Sequence, residues 1–318
     1  MLYNASFSST LTSEGIYIFL INHLNRGIKT RPPHRIYVYI VYIIVGFFFE
    51  GRQLIKFHNF PGMRFFRILP LIFLIIFSVC EKSPELTKEP WADKPVNEWP
   101  DFSLTNKICF EDTTFTDIAN SFLINTGTDT IGASCKHMFL VFRIHLNYHT
   151  ISLGKDFNYW KLYPKNNPAK SVQINKLINT HHQEQIGQFN TLKNRDWIIF
   201  DLEGSVNGLY PLKIRYTPLK KGETIYAVGW GHKQQDNTFP QIAKFRFFRS
   251  LGNYYYAQAL SKNINPQGRS GSPVIDKKGY LVGIISGAEG KLTVIGSIEY
   301  LKGLFDRYQV DYKMPDHE

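Results

Sequence analysis

Cysteine is scarce: Cys80, Cys109 and Cys135 are the only three among 318 residues. No C-x-x-C pair accompanies them, so a cysteine-based zinc framework is not expected. Cys109 and Cys135 are compatible with a disulfide in an oxidising compartment, and equally with two small buried thiols. No internal repeat or low-complexity tract is present, so solenoids and linker-like chains are excluded as well. Apolar runs are short, fourteen residues at Ile36–Phe49 and twelve at Ile68–Val79, the latter with Pro70 and Ser78 inside it. Spanning a bilayer comfortably takes about 20. Acidic residues are outnumbered, 26 against 37 Lys and Arg. The imbalance is uneven, however, because residues 1–79 carry a net +6 and the remainder only +5. Half of the basicity therefore lies outside the expected mature domain, and a nucleic-acid partner is not expected.

What is abundant favours strands. Aromatic residues make up 15% of the chain, alongside many Ile and Val. The first eighty residues read differently. The basic segment Met63-Arg64-Phe65-Phe66-Arg67 leads into the apolar run Ile68–Val79. Cys80 closes that run, and a polar, proline-bearing stretch follows. Basic, apolar, polar is the order of a secretory signal. Residues 63–80 are read as that signal, 1–62 as an upstream extension or membrane segment, and 81–106 as a polar tether.

The chemistry concentrates in Gly268-Arg269-Ser270-Gly271-Ser272-Pro273. A serine between glycines, ahead of a proline, reads as a tight turn holding one hydroxyl clear of bulky neighbours. Two short apolar runs around Asp276-Lys277-Lys278-Gly279 follow, a hairpin signal. Upstream, Ser121–Ile124, residues 222–231, Phe245–Phe248 and Tyr254–Ala257 are further strand candidates. Ser297 followed by apolar residues at helical spacing predicts a short terminal helix.

The hexapeptide and its hairpin resemble the nucleophile loop of the trypsin/chymotrypsin-like serine peptidases, in their bacterial G-x-S-G-S-P form. Ala133-Ser134-Cys135-Lys136-His137 is similar to the segment that delivers that family's catalytic histidine. Asp196, ahead of Trp197-Ile198-Ile199-Phe200, is similar to the aspartate that orients it, with Asp201 as the second choice. His137, Asp196 and Ser270 keep the family's chain order. His145, His149, His181, His182 and His232 lack the small-residue approach and are read as structural or exposed. The resemblance implies an all-β fold of two packed six-stranded antiparallel barrels (chymotrypsin-like) with a short C-terminal helix, the barrels covering 107–215 and 216–310. It implies peptide-bond hydrolysis through an acyl-enzyme, with no cofactor and no metal. Backbone N–H groups of Gly268 and Ser270 would form the oxyanion hole. Ile264 would floor the specificity pocket, and Ser286 and Gly287 would pair with the substrate backbone. Because no acid stands near Ile264, cleavage after Lys or Arg is not favoured. Arg269 departs from the aspartate common at its position, which argues against a switch operated by a freed amino terminus. Cys80 resembles a lipidated bacterial lipoprotein cysteine, although Val79 departs from that pattern. The implied partners are a polypeptide substrate and a membrane, reached through a lipid anchor or signal segment, and the implied location is the cell envelope or outside it. A non-catalytic module that binds a peptide or envelope partner is the alternative, with hydrolysis of non-peptide acyl bonds a distant third.

Overall fold

The computed structural model describes the backbone of Ser9–Leu11 and Tyr17–Phe19 and, apart from residues 207, 235 and 261–267, residues 86–314. The expectations for residues 63–80, Cys80 and Ile264 fall outside the described residues. The chain divides into two units, 1–79 and 80–318. In the first, β1 (Ser9–Leu11) and β2 (Tyr17–Phe19) pair antiparallel. Among the described residues no helix is long and apolar enough to cross a membrane.

The second unit holds two closed, six-stranded antiparallel barrels. The first is built from β3 (Leu104–Phe110), β4 (Thr114–Asn125), β5 (Thr130–Cys135), β6 (Phe157–Tyr163), β7 (Val172–Leu177) and β8 (Trp197–Glu203). They run β3-β6-β7-β8-β5-β4, and a β3–β4 pairing closes the ring. Two-residue β9 (Leu212–Lys213) adds to β4 in parallel. The second barrel uses β10 (Thr224–Gly229), β11 (Gln241–Ser250), β12 (Tyr254–Ala259), β13 (Pro273–Ile275), β14 (Leu281–Glu289) and β15 (Leu292–Ser297), in the order β10-β11-β12-β15-β14-β13. Closure leaves neither barrel with a long unpaired edge.

One apolar cluster spans both barrels, and a second, including Ile225, Phe245, Val274 and Ile295, fills the second barrel. Phe122, Trp197 and Phe200 of the first join Val228, Ile275, Leu281 and Ile284 of the second in one continuous cluster. Between the segment's short helices α1 (Phe139–Leu146) and α2 (Phe189–Leu192) and the carboxyl end, helix α3 (Ile298–Tyr308) also packs into it. Ile298, Leu301, Leu304 and Phe305 are its buried residues, at helical spacing. Full burial of such a side chain is worth about 1.5–3 kcal/mol. Ser297 Oγ accepts the Tyr300 N–H at 3.0 Å and caps the helix start.

One expectation needs correcting. Residues 86–106 are not a free tether. Trp91 is buried, edge-on to Trp99 and Tyr210 and 4.9 Å from Phe102. Leu104 already starts β3. Four prolines between 84 and 100 drew attention to flexibility, but the aromatic residues among them find a core to enter.

Polar contacts also join the barrels, Ser103 Oγ to the Val228 carbonyl and Lys193 to Glu289 among them, and two residues make several each. Arg215, just past β9, donates to Thr217, Pro218, Glu223 and Asp276, so all five of its N–H groups are used. Asn120, on β4, reaches into the second barrel. It follows Asp117 and Ala119, both at φ 58°, beside a register shift between Thr105 and Lys107. Left-handed backbone at a residue with Cβ costs roughly 1–2 kcal/mol. The irregular backbone lies immediately before the residue that enters the site.

Candidate active site

Asp196 ends the approach to β8 and is 1% exposed. Its Oδ2 lies 2.8 Å from His137 Nδ1, and its Oδ1 accepts the His137 backbone N–H, also at 2.8 Å. One carboxylate therefore fixes both the ring and the main chain of His137, which occupies the short 3-10 turn Lys136–Met138 after β5. The Lys136 N–H donates to the Asp196 carbonyl at 2.6 Å and ties the two segments together. Asp201, the second choice, instead accepts from Asn175 at the far end of β8.

Burial alone would push the imidazole pKa down. The Asp196 carboxylate, aided by Cys135, outweighs burial and holds it well above the ordinary 6.5. In the neutral form, the tautomer with Nδ1–H donating to the carboxylate would leave Nε2 to accept a proton. The Nε2 side is bordered by Cys135 Sγ at 3.8 Å, and the Phe189 ring meets the imidazole edge-on at 5.4 Å. Behind the pair, buried Lys136 binds Glu184 at 3.0 Å and the Asn179 carbonyl at 3.1 Å. Arg195 shares the Glu184 carboxylate. Burial, with Arg195 nearby, pushes the Lys136 ammonium down to about 7.

Ser270 stands at the tip of a tight turn. The Ser272 N–H returns to the Arg269 carbonyl at 2.9 Å, and Gly271 takes φ 80°. Glycine is demanded there, since a Cβ at Gly271 would fall 2.0 Å from the Asn120 carbonyl oxygen. Ser272, the other serine of the motif, is fully buried, with its Oγ unpartnered. Ser270 is only half-buried.

Two contact routes join the Ser270 turn to His137. In the first, Asn120 N–H donates to the Ser270 carbonyl at 2.7 Å, while its own carbonyl accepts Ser134 Oγ at 2.7 Å, three residues before His137. In the second, Gly271 N–H donates to the Ile285 carbonyl at 2.8 Å. Two residues on, Gly287 lies so close to Phe189 that a Cβ would sit 2.4 Å from that ring, and Phe189 faces His137. Ser286 itself is buried and its Oγ has no partner. Gly268, at φ 82°, packs against His232: a Cβ there would come within 2.3 Å of the His232 backbone nitrogen.

Asn120 organises this turn, and no sequence signal marks it. Its Nδ2 donates to the carbonyls of Trp230, Gly268 and Ser270 at 3.1, 3.0 and 3.3 Å, and its Oδ1 accepts the Trp230 N–H at 2.8 Å. Arg269 braces the turn from behind. Its buried guanidinium donates to the carbonyls of Gly229 and Gln241, both at 3.1 Å, and to Gln234 Oε1 at 2.7 Å. These acceptors are neutral, so burial pushes its pKa below the ordinary arginine value without a compensating carboxylate. Cys109 and Cys135 are both free thiols.

Residues 147–284 match the family model of a trypsin-like peptidase domain. That interval includes Asp196 and Ser270 and begins after His137. No curated protein matches the chain. Among solved structures, the active form of the Rv3671c protease from M. tuberculosis is similar at 14% identity and a TM-score of 0.45, covering 73% of this chain and 91% of that one. The inactive form of the same protease is similar at 15% identity and a TM-score of 0.43, covering 71% and 98%.

Proposed function

We propose that this chain is a serine endopeptidase with Ser270 as nucleophile, His137 as general base and Asp196 as the group that orients it. A neutral hydroxyl attacks a peptide carbonyl only when a base takes its proton. In this reading Nε2 of His137 accepts the Ser270 Oγ proton as Oγ bonds to the carbonyl carbon. The resulting imidazolium is stabilised by Asp196. The oxyanion is met by the N–H groups of Gly268 and Ser270, each donor contributing about 10²–10³ in rate. His137 then gives the proton to the leaving amine as the C–N bond breaks. Water repeats the sequence on the acyl-enzyme and restores Ser270.

The observation that carries the reading is the doubly anchored His137–Asp196 pair, with a serine turn joined to it by two contact routes. The trypsin-like peptidase match over 147–284 supports it. The alternative, a non-catalytic binding module, rests on Cys135 Sγ standing 3.8 Å from Nε2, the nitrogen that Ser270 needs. Incubation of the full chain and its Ser270→Ala variant with a mixed-sequence peptide library separates the two. The enzyme reading expects new peptide termini from the parent chain alone. Intact peptides with well-folded parent chain would favour the binding module.

The pattern of residues 63–90 supports export and attachment at a membrane, with Cys80 as the lipidated residue. Metabolic labelling with a fatty-acid analogue, compared with Cys80→Ser, tests the attachment.

A further inference from the structure

The described part of the second unit begins at Leu86, and its entry point is fixed. The Leu86 carbonyl accepts Lys278 Nζ at 2.7 Å, and the Thr87 carbonyl accepts Tyr280 Oη at 2.8 Å. Both donors belong to the β13–β14 turn. Arg215 ties that turn, through Asp276, to Glu223 at the start of β10. Glu223 and Gly222 in turn pair with Phe247 of β11. The chain therefore enters at the end of the second barrel formed by the β13–β14 turn, the approach to β10 and the last residues of β11.

That end is basic and partly apolar on its outside. Lys220, Lys221, Arg246, Arg249 and Lys277 are exposed there, and none of the five forms an ion pair among the described residues. Its acidic neighbours are occupied: Glu223 and Asp276 hold Arg215, and Glu299 accepts from Tyr255. Phe248 and Leu251 are 42% and 44% exposed among these cations. The Phe248 ring has Lys221 Nζ at 5.7 Å and the Arg249 guanidinium at 5.9 Å. Exposed apolar groups ringed by unpaired cations match the interface of an anionic bilayer, where rings and aliphatic chains enter and charges meet headgroups. A nucleic acid or acidic polymer would satisfy the charges but give Leu251 nothing to bury.

Resting on the attachment reading above, we propose that this end of the second barrel seats on an anionic phospholipid surface. Cys80 is six residues from Leu86, a reach of at most about 20 Å. A lipid at Cys80 would thus hold this end, rather than any other, against the bilayer. The Ser270 turn lies at the opposite end, since Arg269 binds the Gly229 and Gln241 carbonyls where the β10–β11 hairpin finishes. Six residues of β10 separate the two ends, about 20 Å. The Ser270 turn is thus held away from the seated end, while the β11–β12 turn also reaches the approach to Asp196, where Asn253 Nδ2 donates to the Asn194 carbonyl at 2.8 Å.

The test uses the full chain with vesicles of phosphatidylcholine alone or mixed equally with phosphatidylglycerol. Flotation reports attachment, and hydrogen exchange reports contact. Exchange in 219–223 and 248–254 should slow by about tenfold on the mixed vesicles only, and the slowing should vanish in Lys220→Glu/Lys221→Glu/Arg249→Glu but persist in Lys155→Glu on the first barrel. Flotation without that slowing overturns the seating while leaving attachment intact. Failure to float on mixed vesicles overturns both. Slowing by duplex DNA but not by vesicles would assign the surface to a polymer instead. None of these readouts depends on peptide cleavage, so their failure is distinguishable from failure of the peptidase reading.

Discussion

At the scale of single residues, the account rests on which atoms of His137 are held. Asp196 fixes Nδ1 and the backbone N–H together, so Asp196→Asn should keep the fold yet lower kcat/KM roughly ten-thousand-fold. A loss under tenfold with unchanged thermal stability would remove Asp196 from the mechanism. The raised His137 pKa carries a sign. Only neutral imidazole can accept the Ser270 proton, so kcat/KM should climb with pH along a limb centred above 6.5, shifting to lower pH in Asp196→Asn. The stability linked to the same group runs the other way. It is present in full below the unfolded value and is lost as pH rises through the folded one. A limb centred at or below 6.5 would contradict the assignment. Gly268→Ala places a methyl against the His232 backbone at a φ reserved for glycine. If its N–H meets the oxyanion as proposed, the change should reduce kcat far more than it raises KM, because the displaced donor would serve the transition state rather than the ground state.

Among elements, the legible and the hidden divide along physical lines. The β13–β14 hairpin, the β10 to β12 strands and α3 with its Ser297 cap were readable because their signals are local: turn residues, apolar runs, a capping serine. The candidate His, Asp and Ser positions came from short motifs. Asn120 offered no such signal, because its partners Trp230, Gly268 and Ser270 lie 110 to 150 residues away. Lys136 and Glu184 carry no local signal either, because a charge next to a histidine reads as solvated until burial is known. The stretch around Trp91 reads as a tether because prolines are visible in sequence and a receptive core is not. Asn120→Ala should expose what the distant contacts do. It removes the side-chain partner of the Trp230 N–H and of the Trp230 and Gly268 carbonyls, while the Ser270 carbonyl keeps the backbone N–H of residue 120, so both melting temperature and kcat should fall, stability by about 1–3 kcal/mol. Unaltered kcat with lowered stability would make Asn120 a structural link only.

At the scale of the whole molecule, the two closed barrels of the second unit are joined by an apolar cluster that spans both and are clasped where the chain crosses between them. Arg215 is that clasp, with side-chain exposure of 11% against 2% for its partner Asp276. Arg215→Met should cost about 3–5 kcal/mol, since it strands two carboxylates, and denaturant unfolding would measure it. A change under 1 kcal/mol would show that Arg215 is not what holds the barrels together. The fold class was accessible from strand-rich composition plus one motif family. The closure order, the β9 addition and the approach of both barrels to the Ser270 turn depend on pairings that no local pattern encodes.

The central claim is that the Ser270 hydroxyl works with the His137 imidazole, and a fluorophosphonate reads that partnership in one adduct. Peptide mapping after treatment of the full chain should place the phosphonyl group on Ser270, with labelling abolished in Ser270→Ala, strongly reduced in His137→Ala and retained in Ser272→Ala. A folded chain that takes no label, or takes it equally well without His137, would contradict the account.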